Sequence, residues 1–214
     1  MKIIFTGGVT GGHFYPIIAV VESIQKISKE KKLLSPEMFF CAPSPYNQGL
    51  LYDHNITFKK ITAGKMRRYF SLLNFTDFFK MAWGCLGALF DVFDIFPDVV
   101  FSKGGYGSFP VVLAARLLRI PVFVHESDSA PGRVNKWAGK FATRVAVSYE
   151  EAATYFPANK VVHTGQPILE ERLTPITNEA GEFFGFDTSI PTIFIMGGSQ
   201  GAELINNAVL DILP

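Results

Sequence analysis

Four short stretches combine glycines with side chains able to do acid–base or hydrogen-bonding chemistry. The first, FTGGVTGGHFYP from Phe5 to Pro16, sets four glycines ahead of His13. The second is KGGYGS from Lys103 to Ser108, the third is HESD from His125 to Asp128, and the fourth is GGSQGA from Gly197 to Ala202. Glycine loops that open helices offer free backbone N–H groups and the positive end of the helix dipole to an anion, and they let a bulky ligand approach the backbone. A histidine at such a helix start is held neutral and can accept a proton, which makes His13 the leading candidate base; a purely local capping role is the competing reading. Glu126 and Asp128 are carboxylates at a strand end, where the alternative is a solvated helix cap.

The spacing excludes two familiar nucleotide sites. A dinucleotide fingerprint needs glycines at offsets zero, two and five, but from Gly7 or Gly8 the second place holds Val9 or Thr10. The acidic ribose ligand is also absent, because the next strand ends in Ala42-Pro43-Ser44. Gly7 and Gly12 have the spacing of a phosphate-binding P-loop, yet His13 and Phe14 stand where its Lys and Ser/Thr belong. No His, Asp or Glu cluster has metal-ligand spacing, so neither metal nor cofactor is expected.

Alternating strand-like and helix-like segments must position these loops. Strands are expected at 2–6, 38–42, 56–61, 98–102, 121–125 and 144–147, with helices at 15–32, 48–54, 111–119 and 134–141. The pattern is that of βα units on a doubly wound, Rossmann-like parallel sheet with both faces covered. In open sheets of this kind ligands lie beyond the carboxyl ends of the strands, where the glycine loops fall. Residues 165–190 are polar and turn-rich, and a new apolar strand at 192–196 then runs into the fourth loop and a helix. These boundaries divide the chain into a domain of residues 1–164, an interdomain segment of 165–190, and the first βα unit of a further domain at 191–214. A lone βα unit cannot bury its apolar faces, so the chain is read as a fragment or as a unit that docks elsewhere.

Of 214 residues, 48% are hydrophobic and 21 are Phe, enough for a full core. A net charge of +1 gives no global attraction to nucleic acid. Cys41 and Cys85 are expected as buried free thiols in a reducing compartment, and residues 1–6 carry no leader pattern. The Phe-rich run 75–96 has helical spacing through Phe75, Phe78, Phe79, Ala82, Leu86, Leu89, Phe90 and Phe93. Asp77, Lys80, Asp91 and Asp94 interrupt it, so it is a poor spanning helix. Two readings stay open: a core helix under the sheet, or a helix whose apolar face meets a membrane beside Lys65, Arg67 and Arg68.

Taken in order, TGGVTGGHFYP, SKGGYGSFP, PVFVHESDSAPGRVNKWAGKFA and MGGSQGAELIN span nearly the whole chain and resemble the MurG family of bacterial peptidoglycan N-acetylglucosaminyltransferases. The resemblance implies a two-domain GT-B fold, of which this chain holds the N-terminal domain and the start of the C-terminal one. It implies transfer of N-acetylglucosamine from UDP-N-acetylglucosamine to the muramyl C4 hydroxyl of undecaprenyl-linked lipid I, giving lipid II with inversion. It also implies a peripheral location on the cytoplasmic face of the membrane. Carried over by position, Thr10, Gly11 and Gly12 face sugar or diphosphate, with His13 as base and Glu126 as second candidate base or sugar ligand. Gly104, Gly105, Tyr106 and Ser108 line the acceptor side, Asp128 contacts the sugar, and Ser199, Gln200 and Gly201 hold the UDP diphosphate. Lys65, Arg67, Arg68, Phe75, Phe79 and Trp83, with Lys136 and Lys140, are the implied membrane contacts.

Two departures from the family pattern stand out. The family's His-Glu-Gln-Asn is His125-Glu126-Ser127-Asp128 here, so the Asn contact falls on a carboxylate that only accepts. Leu169 follows Gln166-Pro167-Ile168 where relatives carry Arg, a diphosphate contact that Arg172 would have to supply. The family's uridine-binding elements lie beyond Pro214, so this chain is expected to hold acceptor and base but to bind donor poorly. Two other classes remain: a noncatalytic half that needs a separate donor-binding chain, and a dehydrogenase-type enzyme, which the failed fingerprint disfavours.

Overall fold

The structure is a computed structural model that describes residues 1–65, 73–173, 177–187, 190–197 and 202–212. It divides into two compact units, residues 1–173 and 174–214. In the first, seven parallel strands form one sheet in the order β3-β2-β1-β4-β5-β6-β7. They are β1 (Lys2–Thr6), β2 (Glu37–Ala42), β3 (Ile56–Lys60), β4 (Val99–Ser102), β5 (Val122–Glu126), β6 (Arg144–Val147) and β7 (Val161–His163). The helices of this unit are α1 (Gly11–Glu30), α2 (Gln48–Asp53), α3 (Leu73–Ile95), α4 (Phe109–Leu117), α5 (Arg133–Ala138) and α6 (Glu150–Ala153).

This is the doubly wound architecture expected from the alternation. Its order reverses at β1, so the chain winds outward to β3 on one side and from β4 to β7 on the other. β1 therefore sits between β2 and β4, with Phe5 paired to Phe40 and Thr6 to Ser102. Because β4 pairs in turn with β5, the loops after β1, β4 and β5 emerge side by side. Both faces are covered. Phe5, Phe14, Ile17, Ile18 and Phe40 fill one cluster, while Ile4, Val92, Val100, Val112 and Val124 belong to the other. The central strands are apolar nearly throughout because both faces of the sheet are covered there.

In this unit two expectations change and one open alternative is decided. α1 begins four residues earlier than its periodicity suggests, and so takes in Gly11, Gly12 and His13 ahead of Pro16. Cys41 is buried but Cys85 is only half-buried. At α3 the core alternative fails and the Phe-rich stripe faces outward. The buried side consists of Asp77, Met81, Gly84, Ala88, Val92 and Ile95, packed mainly against α4. Phe75, Phe78, Phe79, Trp83, Leu86, Phe90 and Phe93 are each more than half exposed on the opposite side. The small residues decide this. A Cβ on Gly84 would collide with the Thr62 carbonyl, so the helix lies closer to its neighbours there than any larger side chain allows. α3 is thus not a core helix, though one edge of it is core. Among the described residues no helix is long and apolar enough to cross a membrane.

The second unit contains α7 (Thr177–Phe184) and α8 (Glu203–Ile212). The strand expected at 192–196 is not formed: residues 191–197 have no regular secondary structure, and Ile193, Phe194 and Met196 are at least three-quarters exposed. A strand is stabilised by a hydrogen-bonded neighbour, and the described residues of this unit supply none. α8 forms as expected and buries no side chain fully.

Candidate functional site

His13 occupies the third position of α1, above the carboxyl end of β1. Its ring is seated by two glycines from different loops. A Cβ on Gly8 would lie 2.7 Å from Nδ1 and 2.8 Å from Cε1, and a Cβ on Gly105 would lie 3.1 Å from Nε2. The ring thus lies flat on Gly8 with its far nitrogen over the second loop. Gly105 has φ of 82°, in the left-handed region where a side chain is strained, so both conformation and space call for glycine there. Nδ1 is 3.0 Å from Thr10 Oγ1. When Nδ1–H donates to that oxygen, the lone pair on Nε2 is free to accept a proton. Burial holds the His13 pKa below the ordinary 6.5, and the Lys103 ammonium lowers it further, against the opposing pull of Asp128 and Glu126. The imidazole is therefore neutral near pH 7, as a base must be.

A cavity of about 430 Å³ opens over this ring, lined by Gly12, His13, Lys103, Glu126, Asp128 and Tyr149 among others. Its far wall is organised by Glu126, which is 4% exposed. Glu126 Oε1 accepts the Asp128 backbone N–H at 3.0 Å, while Oε2 accepts Gly132 N–H at 3.1 Å and Asn135 Nδ2 at 3.0 Å. Both carboxylate oxygens are thus committed to shaping the loop between β5 and α5. Asn135 Nδ2 also donates to the His125 carbonyl at 3.2 Å, tying α5 back to β5. The His125 side chain faces away from this work: Nε2 donates to the Gly165 carbonyl at 3.1 Å. Burial and the nearby Lys103 charge push its pKa down to about 4.

Lys103, the residue directly after β4, is 3% exposed. Its ammonium donates to Ser127 Oγ, and Ser127 Oγ donates onward to Gln166 Oε1 at 2.6 Å. Ser148 Oγ donates to the same Gln166 oxygen at 2.9 Å. Burial lowers the Lys103 pKa to about 8, against the pull of Glu126 and Asp128, so the group is still charged at neutral pH. Lys103, Ser127, Asn135 and Tyr149 were not picked out by sequence reasoning. The available signal for Lys103 was its place at a strand end directly before a glycine pair.

The remaining sequence candidates divide by position. Thr10, Gly12, Gly105 and Asp128 sit on or beside the crevice, whereas Gly104 and Ser108 lie buried beneath it, with Ser108 Oγ donating to the Gly105 carbonyl at 2.9 Å. Tyr106 lines a neighbouring apolar cleft with Met81, Phe109 and Arg133, and Gly11 lines another groove with Tyr15 and Ile168. Lys65 is exposed. Lys136 is exposed, with its ammonium 5.3 Å from the centre of the Tyr155 ring, and the Lys140 carbonyl accepts from Lys160 Nζ. Arg67, Arg68, Ser199, Gln200 and Gly201 lie outside the described residues, as does the Arg172 side chain. Among the described residues no group of three or more His, Cys, Asp or Glu side chains is placed to hold a metal.

A parallel sheet reversing at β1, with a polar crevice at its carboxyl edge, defines a Rossmann-like N-terminal domain of the GT-B glycosyltransferase type. Residues 3–147 match the glycosyltransferase family 28 N-terminal domain, and the chain belongs to that family. It is 39% identical over 213 residues to the UDP-N-acetylglucosamine--N-acetylmuramyl-(pentapeptide) pyrophosphoryl-undecaprenol N-acetylglucosamine transferase 3 of Bacillus thuringiensis, covering 100% of this chain and 59% of the relative. The transferase of that name from Clostridium novyi is 40% identical, with 99% and 58% covered. The chain therefore spans less than two-thirds of the length of these relatives. Among solved structures, MurG from Acinetobacter baumannii superposes with a TM-score of 0.58 at 26% identity, covering 81% of this chain and 47% of that one. A UDP-GlcNAc 2-epimerase from Neisseria meningitidis, TM-score 0.55 at 18% identity, covering 88% of this chain and 55% of that one, shares the fold.

Proposed function

We propose that this chain is the acceptor-side part of an inverting glycosyltransferase that moves N-acetylglucosamine from UDP-N-acetylglucosamine to the muramyl C4 hydroxyl of lipid I, giving lipid II for peptidoglycan synthesis. The observation that carries the reading is the seat of His13, a neutral imidazole held by Thr10 and two glycines under an open crevice. The substrates are inferred from the relatives' names. In the transfer the acceptor O–H bond gives its proton to His13 Nε2. The freed oxygen bonds to the sugar's anomeric carbon as the bond to UDP breaks, and that electron pair leaves on the diphosphate. Glu126, with both oxygens engaged by the loop, shapes the wall that confronts the acceptor sugar. In this reading 191–214 are the start of a donor domain, and Ser199, Gln200 and Gly201, which lie outside the described residues, are the resemblance's candidates for binding the UDP diphosphate.

The acceptor is lipid-linked, and the outward face of α3 is built to meet the surface in which it resides. Contiguous exposed aromatic surface of this extent marks a docking face, here for the cytoplasmic side of a membrane. The test is radiolabel transfer from UDP-N-acetylglucosamine to a lipid I analogue, by this chain with and without the C-terminal portion its relatives carry. Transfer only with that portion present supports the proposal, and absence of transfer in both cases overturns it. In the complete protein His13→Ala should lower turnover by about 10²–10⁴-fold with little loss of stability; near-normal turnover removes His13 as base.

A further inference from the structure

Lys103 is a charged group that the transfer chemistry above leaves unused, and burying a cation is costly unless something requires it. Its surroundings are specific. The Lys103 backbone N–H donates to the Thr6 carbonyl at 2.8 Å, which ties the end of β4 to the entry of the first glycine loop. A Cβ on Gly7 would lie 3.3 Å from His13 Cβ and 3.5 Å from Lys103 Cβ, so both side chains start out close to that glycine. Both then line the same cavity. The ammonium is anchored by Ser127, which Gln166 holds in turn.

We infer that Lys103 is a positioning residue for the proposed transfer: its ammonium, held by Ser127 in the cavity that His13 also lines, keeps that imidazole in the uncharged form that can take a proton. The inference rests on His13 acting as the base. The charged groups that act on the imidazole are Lys103 directly after β4, Glu126 at the end of β5 and Asp128 in the loop behind it. The two carboxylates favour a charged imidazole, and a protonated His13 could not accept the acceptor's proton. Burial first, and Lys103 with it, works against them and lowers the His13 pKa. Opposite signs in one small cavity allow the sugar-facing carboxylate Asp128 to coexist with a neutral base a short distance away.

The test reads protonation without turnover. The 214-residue chain is labelled with ¹³C-histidine and titrated by NMR, with His13→Gln used to assign the His13 resonance. Lys103→Met removes the charge at nearly constant shape, Lys103→Gln removes it while keeping an N–H donor for Ser127, and Lys103→Arg retains the charge. The His13 midpoint should move to higher pH in Lys103→Met and Lys103→Gln, with His54 and His163 unmoved, and should return toward the wild-type value in Lys103→Arg. An unmoved His13 midpoint in a folded charge-free variant overturns the inference, as does an Arg variant that behaves like Met. In the complete enzyme the acid limb of kcat/KM should shift upward with the NMR midpoint. Failure of the titration leaves the transfer proposal standing, and failure of radiolabel transfer leaves the titration result standing.

Discussion

Replacing Gly8 by Ala tests the seat of His13 with a single methyl group. Gly8 is not among the glycines with positive φ, so Ala is compatible with the backbone and any effect is steric. The three atoms nearest the new Cβ all belong to the His13 ring, and the closest, Nδ1 at 2.7 Å, is about 0.7 Å short of ordinary contact. The ring must shift by roughly that amount, and the contact with Thr10 at 3.0 Å opens beyond hydrogen-bond range if it moves directly away. Overpacking costs about 1–3 kcal/mol, and the low end applies because the ring can yield into the crevice. A displacement near 1 Å at a reacting group costs about 10²-fold in rate. The assays are urea unfolding of the 214-residue chain and turnover in the complete enzyme, each with Gly8→Ala alone and in a His13→Ala background. The stability penalty of Gly8→Ala should vanish once His13 is absent, because the clash has lost its partner. An equal penalty in both backgrounds, or wild-type turnover for Gly8→Ala alone, refutes the seat.

Glu126→Gln turns one carboxylate oxygen into an N–H₂ facing donors from Gly132 and Asn135 or from Asp128, and should cost about 1–3 kcal/mol in thermal or urea unfolding; unchanged stability would show that the loop does not depend on the charge. The buried neutral His125 sets a pH dependence of stability. Its folded pKa of about 4 lies below the ordinary 6.5, so its contribution is complete above pH 6.5 and is lost as pH falls toward 4, on the order of 3 kcal/mol. A His125→Asn chain should show a flatter unfolding curve over that window, and an unchanged slope assigns the acid sensitivity elsewhere. Changing Phe75, Phe79 and Trp83 together to Ser should leave the fold intact, since all three are exposed, and should reduce flotation with anionic vesicles; undiminished binding removes this face from membrane contact.

The sheet was legible because fully buried parallel strands read as apolar runs separated by glycine loops, and neighbouring strand order then gathers the loops. β7 was missed because Val161–His163 is three residues long, with Val162 and His163 exposed, and so carries almost no pattern. α3 was legible as a helix, but its sequence left open whether the Phe-rich stripe lay in the core or faced outward, and the structure turns that stripe outward. Periodicity weighs size and hydropathy, so it favours the phenylalanines, whereas the close approach of the Thr62 carbonyl requires Gly84 and burial in the core favours Ala88. His13 could be found from its place at a helix start. Lys103 had only its place before a glycine pair to mark it, because its nearness to the first glycine loop depends on β4 lying beside β1, a pairing between residues almost a hundred positions apart.

The glycines of the two loops also take on a different meaning once they are placed together. From sequence they suggest exposed backbone waiting for a phosphate. In the fold, Gly8 and Gly105 meet across the loop boundary, a Cβ on Gly105 falling 2.8 Å from the Gly8 Cα, and both face the His13 ring. Gly104 does similar work on the other side, where a Cβ would strike the Asn135 amide that holds Glu126. The absent side chains therefore make room first for the protein's own groups, and the cavity begins above them. A loop built to cradle phosphate would tolerate exchange of His13 for another polar residue. A loop built as a seat loses its reason for Gly8 when His13 is removed, which is the coupling that the paired substitutions measure.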